Sequence, residues 1–473
     1  MKDLRTFFAD YSRLFPEEIV SIDRAVDAKW HASAVATKAE RACKTSPVLI
    51  FNQLRLLNGA ISAYPAVVNL LSSRRRLAWT IESTVERFAI DLSSRIRQKK
   101  KPLVVSKSEA PVKEVVKKGP EVNLLDYPAL VQHAWDPGQY ITAGFLTCYD
   151  PDTGIDNCAL QRGWIKKERE IRIHIGHHSH NGMIFSKHER AKKGMKVIYW
   201  IGHHPAAYLG AEVKLGFPES HYESAGGVLG EPLRLVPSET LGEDFLVPAD
   251  AEVVIEGIIP NGQRRPEAPF GEHLGYFGGQ TLSPYMDVTC ITHRKKPYWL
   301  TILCSHLDEK EGIGGARREA TLYEILRKAV PGVTNVYRPS SCPIHLYIQM
   351  KKRKESDPRQ AILAAISAPE GIKHVFVFDE DINIFDEPEV LWAIGTRSQW
   401  DKDLVVVPNC NAAGLDPSCE RDGMGTRAGI DCTKPLPPEV FEQRTFIPDE
   451  IMNQVSIEDY IPRETLAKLT HGE

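Results

Sequence analysis

No C-x-x-C pair occurs among the nine cysteines, which are odd in number and scattered from Cys43 to Cys432. Neither a disulfide framework nor a cysteine-built zinc site is signalled, and a reducing compartment is expected. No apolar run approaches the ~18 residues of a membrane helix, and Met1-Lys2-Asp3-Leu4-Arg5 opens on an acid instead of a signal-peptide apolar core. A cytoplasmic chain that spans no membrane is the expectation. Charge of one sign is missing too: 59 Lys and Arg against 62 Asp and Glu leave a formal −3, with no global pull toward nucleic acid or anionic lipid. There is no G-x-S-x-G, no Walker A string, no strand leading into G-x-G-x-x-G and no H-E-x-x-H. Serine hydrolase, P-loop nucleotide hydrolase and dinucleotide dehydrogenase are thereby disfavoured. Internal repeats and low-complexity tracts are absent as well.

What is present is the composition of a globular protein with many turns: 42% hydrophobic, 26% charged, 33 Gly and 32 Pro in 473 residues. Single cores rarely exceed about 250–300 residues, so two or three domains are expected. The histidines are unevenly placed. Eight of the 16 (His174, His177, His178, His180, His188, His203, His204, His221) fall between 174 and 221.

Leu4, Phe7, Phe8, Tyr11 and Leu14 recur at helical spacing behind Asp3, a candidate N-cap, and a second helical region runs through the seventies to nineties. The Lys-rich stretch from Lys99 to Pro120 reads as a solvated connector. From about 140 to 305 the signals are strands at 140–148, 196–201, 252–259, 285–292 and 299–303, broken by Gly and Pro clusters, which predicts an antiparallel or mixed sheet closed toward a barrel. Beyond 311 helices and strands alternate, with helices at 358–366 and 388–398 and strands at 344–349, 374–378 and 403–407, the pattern of a sheet with parallel strands. The boundary is placed near 309–315. After 410 turn-rich residues lead to a short tail, 447–469, with helix starts.

Two clusters carry candidate chemistry. In Glu267-Ala268-Pro269-Phe270-Gly271-Glu272 two acids five apart would diverge on a helix and face opposite ways on a flat strand. Pro269 and Gly271 break both structures, so a turn can aim the acids at one point, where repulsion and burial keep a proton available for general acid work. The competing reading is a loop carrying solvated acids. The second cluster is Asn157 to Arg162 followed by the histidines from His174 to His180. Imidazole, amide and acid together form a mixed N/O set for a divalent cation; equally, His174, His178 and His180 would line the polar face of a strand.

Taken jointly, a series of strings resembles one family: Val68-Asn69-Leu70 with Ser73-Arg74-Arg75-Arg76-Leu77-Ala78, Tyr140-Ile141-Thr142-Ala143-Gly144, Asp150-Pro151-Asp152-Thr153-Gly154, Asn157 to Arg162, Ala225-Gly226-Gly227 with Gly230-Glu231-Pro232, Val247 to Glu252, Glu256-Gly257, Glu267 to Tyr276, and Asp379-Glu380-Asp381-Ile382. The chain is identified as a member of the UbiD family of reversible decarboxylases that use prenylated FMN. The resemblance implies an α+β fold: an N-terminal α/β segment (1–112) packed on a flavin-binding domain with a split-barrel-like sheet (113–310), a C-terminal α/β oligomerisation domain (311–440) and a helical tail (441–473) exchanged between subunits of a homodimer or dimer-based oligomer. It implies that Arg162 holds the substrate carboxylate, Glu267 orients Arg162 and Glu272 shuttles the proton. Cofactor contacts fall on Asn157, Ala159, Leu160, Gln161, Arg162, His180 and His221.

The cofactor phosphate would be held partly through a divalent metal, Mn2+ or Fe2+, with K+ nearby, and a flavin prenyltransferase would supply the cofactor. Metal ligands by resemblance are Asn157, His180 and a third group at the family's Glu position. Here that position is His221, so either His221 or Glu223 completes the set. Ala268 stands where the family commonly has Gly, which implies an ordinary φ there. The expected activity is non-oxidative, reversible decarboxylation of an aromatic, heteroaromatic or α,β-unsaturated acid. The alternative is a non-catalytic UbiD-like subunit of a larger complex, and a metal-dependent hydrolase built on the histidines is a third reading. Substrate identity and direction are not encoded in these strings.

Overall fold

The computed structural model describes the chain except residues 44, 305–306, 412–414, 421–422 and 471–473, and except the side chains of 307–311, 313 and 467–470. The first helix, Leu4–Leu14, is closed by Asp3, whose carboxylate accepts the Thr6 N–H while Thr6 Oγ1 accepts the Asp3 N–H, each at 2.8 Å. Its apolar face, Leu4, Phe7 and Tyr11, is fully buried in the main core. The second helical region resolves into Arg74–Thr80 and Phe88–Ile96.

The centre is a nine-stranded antiparallel sheet. Its path runs Asp156–Leu160, Gly144–Tyr149, Met195–Ile201, Val253–Ile259, Tyr285–His293, Glu170–Ile173, Gly163–Lys167 and Tyr140–Ile141, with Val115–Lys118 pairing off the path against Tyr285–His293. That last strand lies in the stretch expected as a connector; its alternation of half-buried Val115 and Lys117 with exposed Val116 and Lys118 is that of an edge strand with charge on its solvent side. Trp299–Leu300 departs from expectation in another way. It leaves the barrel and pairs in parallel with Ala66–Val68, completing a four-stranded N-terminal sheet with Val48–Phe51 and Ile19–Ile22.

The helix Leu307–Ala329 runs unbroken through the position expected as a boundary. Beyond it a five-stranded sheet has the order Val333–Tyr337, His345–Met350, His374–Asp379, Met424–Cys432, Leu404–Asn411, with three parallel strands inside two antiparallel edges. The tail holds short helices at Asp449–Met452 and Arg463–Thr470, and its Phe446 and Tyr460 are more than two-thirds exposed. No described helix is long and apolar enough to cross a membrane.

The histidine run does not form a strand face. Strand Glu170–Ile173 ends before His174, and Ser179, whose hydroxyl accepts the Gly182 N–H at 3.1 Å, starts the helix His180–Arg190, so His178 lies in a turn and His180 opens a helix. His203 and His204 are in the core, His204 meeting Phe7 edge-on at 5.7 Å between ring centres and accepting the Ala206 N–H on Nδ1 at 3.2 Å. Burial lowers the two imidazoles to about 4 and about 3. Both rings are therefore neutral in the folded protein and titrate near 6.5 once exposed. Stability is complete above pH ~6.5 and falls as pH drops toward 4, because only the unfolded chain takes up protons in that window. At pH 5 the loss is about 2 kcal/mol per histidine. Denaturant titrations at pH 7.5 and 5 measure it, and His204→Asn, which keeps a capping acceptor, makes the dependence shallower.

Candidate active site

Strands Asp156–Leu160 and Gly163–Lys167 lie toward opposite ends of the sheet path, yet only Gln161 and Arg162 separate them in the chain. The sheet must curl until its ends meet, and Arg162 sits at that seam. The backbone there is held by the Gln161 N–H donating to Gly144 O at 3.1 Å and by the Tyr199 hydroxyl donating to Arg162 O at 3.3 Å. The guanidinium points inward, 10% exposed, and grips Glu267 with two parallel bonds: Nε to Oε1 at 3.1 Å and Nη2 to Oε2 at 2.9 Å. Nη1 is bonded to Glu272 Oε1. Glu267 is fully buried and Glu272 keeps a narrow opening, so the two acids differ in access. The Phe270 ring lies under the guanidinium at 4.9 Å, and the Tyr140 hydroxyl donates to Glu267 Oε1 at 3.2 Å. Burial and the adjacent Glu267 push the Tyr140 phenol far up, which keeps it a donor.

The acids converge because their loop alternates between two small ladders. Arg265–Glu267 pairs with Thr281–Ser283, and Phe270–Gly271 pairs with Phe277–Gly278. Between them Ala268 adopts φ +96°, which corrects the ordinary φ expected from its side chain: the chain must swing from one ladder to the other within two residues, and only a left-handed residue achieves that. Gly271 is required for a different reason. A Cβ there would lie 2.2 Å from His133 Nδ1, while its N–H donates to Asp136 Oδ1 at 3.1 Å.

Beside the seam lies a cavity of about 500 Å³, a volume in the range of small-molecule sites. Asn157, Ala159, Leu160, His180 and His221 line one wall; Arg317, Arg318 and Glu370 line the other, and Lys214 is also present. Glu223 is not on the wall. Two residues apart on the helix His221–Leu229 means about 200° of rotation, so one of the pair faces the cavity and the other faces away. The helix is fixed by Asp156, whose carboxylate accepts the Ser220 hydroxyl at 2.5 Å and the Tyr222 N–H at 2.9 Å. Asn157, next to it, donates its amide N–H to Asn181 Oδ1 at 2.5 Å. His221 Nδ1 is buried without a hydrogen-bond partner, and burial together with His180 lowers this imidazole to about 4. Among the described residues no three His, Cys, Asp or Glu side chains form a metal-binding group; the convergent set is two imidazoles and an amide. Arg317 joins the walls, meeting Glu370 at 3.1 Å and Glu212 at 3.6 Å, while Glu212 accepts the Leu160 N–H at 3.2 Å. Gln161 is not on the cavity wall, and its amide donates to the His174 carbonyl instead.

Sequence reasoning did not single out Tyr140, Arg317 or Glu212 for the site. Tyr140 stood within a matching string; nothing in the spacing of the other two points to the cavity.

Three family models match in succession: the 3-octaprenyl-4-hydroxybenzoate carboxy-lyase N-terminal domain over 15–96, the Rift-related domain over 103–307 and the C-terminal domain over 312–432. The chain belongs to the UbiD family of carboxy-lyases. Similar solved structures include the UbiD-class enzyme HmfF from Pelotomaculum thermopropionicum in complex with FMN, 35% identical, with TM-score 0.89 and 97% of this chain and 100% of that chain covered. Another is the 3,4-dihydroxybenzoic acid decarboxylase from Enterobacter cloacae, 25% identical, TM-score 0.87, covering 98% and 99%. An anhydromevalonate phosphate decarboxylase from Methanosarcina mazei is 29% identical over 436 residues, 92% of this chain and 97% of that protein. The mixed α+β architecture with its curled sheet is that of UbiD-class enzymes.

The strain at Ala268 yields a stability measurement on this UbiD-family loop. Ala268→Gly removes the Cβ from a left-handed backbone, and a gain of about 1 kcal/mol is expected after the entropy cost of glycine. A rise in the denaturation midpoint checks it; an unchanged or lower midpoint refutes the strain.

Proposed function

We propose that this chain reversibly decarboxylates an aromatic, heteroaromatic or α,β-unsaturated carboxylic acid, without net oxidation, using prenylated FMN. The observation that carries the reading is the buried Arg162 guanidinium held between Glu267 and Glu272 beside a cavity of cofactor size. Loss of CO2 from an sp2 carbon leaves an electron pair with no adjacent sink, and prenylated flavin, when bound, supplies that sink. The protein's part is positional and electrostatic. Glu267 fixes the plane of Arg162 through paired hydrogen bonds, and Tyr140 holds Glu267 in turn. Arg162 holds the reacting carboxylate, where its charge offsets that of the acid. Glu272, the more accessible acid, delivers a proton to the carbon that loses CO2 and removes it in the reverse direction.

The cavity wall fits a metal-held flavin phosphate. Asn157, His180 and His221 would bind the cation, with the unpartnered His221 Nδ1 available to it, and K+ would sit nearby. The ion is Mn2+, with Fe2+ the alternative that His221 in place of an acid would favour, because it removes one negative charge from the set. Relatives described with FMN and prenylated FMN support the flavin assignment. A flavin prenyltransferase would supply it. We assign residues 113–310 as the flavin-binding unit, 311–440 as the oligomerisation unit and 441–473 as the part exchanged between subunits. The exposed apolar tail residues support a dimer-based assembly, which sedimentation of the full chain reads directly.

Two measurements test the reading. Glu272→Gln, loaded with cofactor, is expected to lose at least 100-fold in both CO2 release and isotopic CO2 exchange across a panel of aromatic acids; retention of wild-type exchange refutes the proton shuttle. His221→Ala is expected to lose bound metal by elemental analysis and retained flavin by absorbance, whereas Glu223→Ala keeps both.

A further inference from the structure

Two buried polar atoms on the cavity wall have no hydrogen-bond partner, and their side chains are bonded to each other. Glu370 lies in the turn after the helix Asp357–Ser367, and Arg317 lies on the helix Leu307–Ala329. The Lys214 ammonium donates to Pro369 O at 3.1 Å, which holds that turn against the segment leading to the helix His221–Leu229. Arg317 Nη1 donates to Glu370 Oε2 at 3.1 Å, and the two side chains are 12% and 1% exposed. The other Glu370 oxygen, Oε1, is buried without a hydrogen bond. So is Arg317 Nε, whose 3.6 Å to Glu212 Oε1 is beyond hydrogen-bond range. Both residues line the cavity. One unused acceptor therefore stands beside one unused donor, and a buried group of either kind calls for a partner.

The pair selects the chemistry of that partner. A phosphate oxygen satisfies the arginine and is repelled by the carboxylate. A hydroxyl both donates and accepts, so adjacent hydroxyls of a polyol satisfy the two together. The opposite wall carries Asn157, His180 and His221, whereas Arg162, Glu267 and Glu272 are not among the residues that line this cavity. With a flavin phosphate at the first set and the reaction at the second, the part of the cofactor that passes between them is its ribityl chain. We propose that Glu370 Oε1 and Arg317 Nε bind hydroxyls of the ribityl chain, which makes residues from beyond 311 part of the cofactor site. The proposal rests on the flavin-dependent reading and adds binding residues to it.

The test titrates the flavin-free full chain, with Mn2+ present, against two probes followed by flavin fluorescence: FMN, and a flavin whose side chain is an unhydroxylated pentyl phosphate. Wild type is expected to bind FMN about tenfold or more tightly than the analogue. In Glu370→Ala that preference falls to within about twofold, because FMN is weakened and the analogue is not. Glu370→Gln, which keeps an oxygen and fills the same space, retains part of the preference and gives the comparison if Glu370→Ala does not fold. A wild type that binds both flavins equally overturns the proposal, as does a Glu370 variant that weakens both by the same factor, the result of a purely structural role or of contact with the ring. If wild type binds neither flavin, the flavin-dependent reading falls and the proposal with it.

Discussion

A guanidinium taken out of water must be neutralised where it sits, and in this protein it sits where the central sheet closes. Arg162 occupies the two-residue seam between strands from opposite ends of the sheet path, and Glu267 meets it with a bidentate pair. Closure of the barrel and compensation of the charge are therefore one structural event. Removing either partner of such a pair typically costs about 3–5 kcal/mol, because the other is left buried and unpaired. The loop that carries Glu267 has to reach the seam, which explains why it tolerates a left-handed alanine and a glycine pressed against His133.

The same seam organises the cavity. Asn157 lies on the strand that leads into Arg162, so its amide and the guanidinium are set by one register. Asp156, one residue earlier, anchors the helix that brings His221 to the wall. Across the cavity the helix Leu307–Ala329 contributes Arg317, linked through Glu212 back to Leu160 on that strand and through Glu370 to the C-terminal sheet. A single strand thus leads into the Arg162 cluster, lines the cavity and is tied to the opposite wall.

Much of this was legible in the sequence. Apolar spacing and the Asp3 cap predict the first helix, and Gly and Pro punctuation predicts the barrel strands at 196–201, 252–259 and 285–292. The family-like strings named the three charged residues that converge. What was not legible depends on contacts distant in sequence. Met424–Cys432 reads as turn because it holds two glycines and few large apolar residues, yet it is an inner strand; Gly429 lets the helix Asp357–Ser367 approach so closely that a Cβ would lie 2.4 Å from Ile362. His203 and His204 belong by composition to a polar cluster and by position to the core, since a neutral imidazole with its nitrogen on a backbone N–H is an acceptable interior group. That His221 and not Glu223 lines the cavity follows from the helix phase, which their common neighbourhood in the chain does not reveal.

The return of Trp299–Leu300 to the N-terminal sheet makes the first hundred residues dependent on the third hundred. Ala66–Val68 gains its outer partner only after the whole barrel sequence has left the ribosome, so the N-terminal sheet waits with an unpaired edge while more than two hundred residues are added. Long-range pairing of this kind slows assembly and leaves a strand edge open to wrong partners in the interval. The segment that opens the chain is accordingly completed late, and the two parts mature as one folding unit.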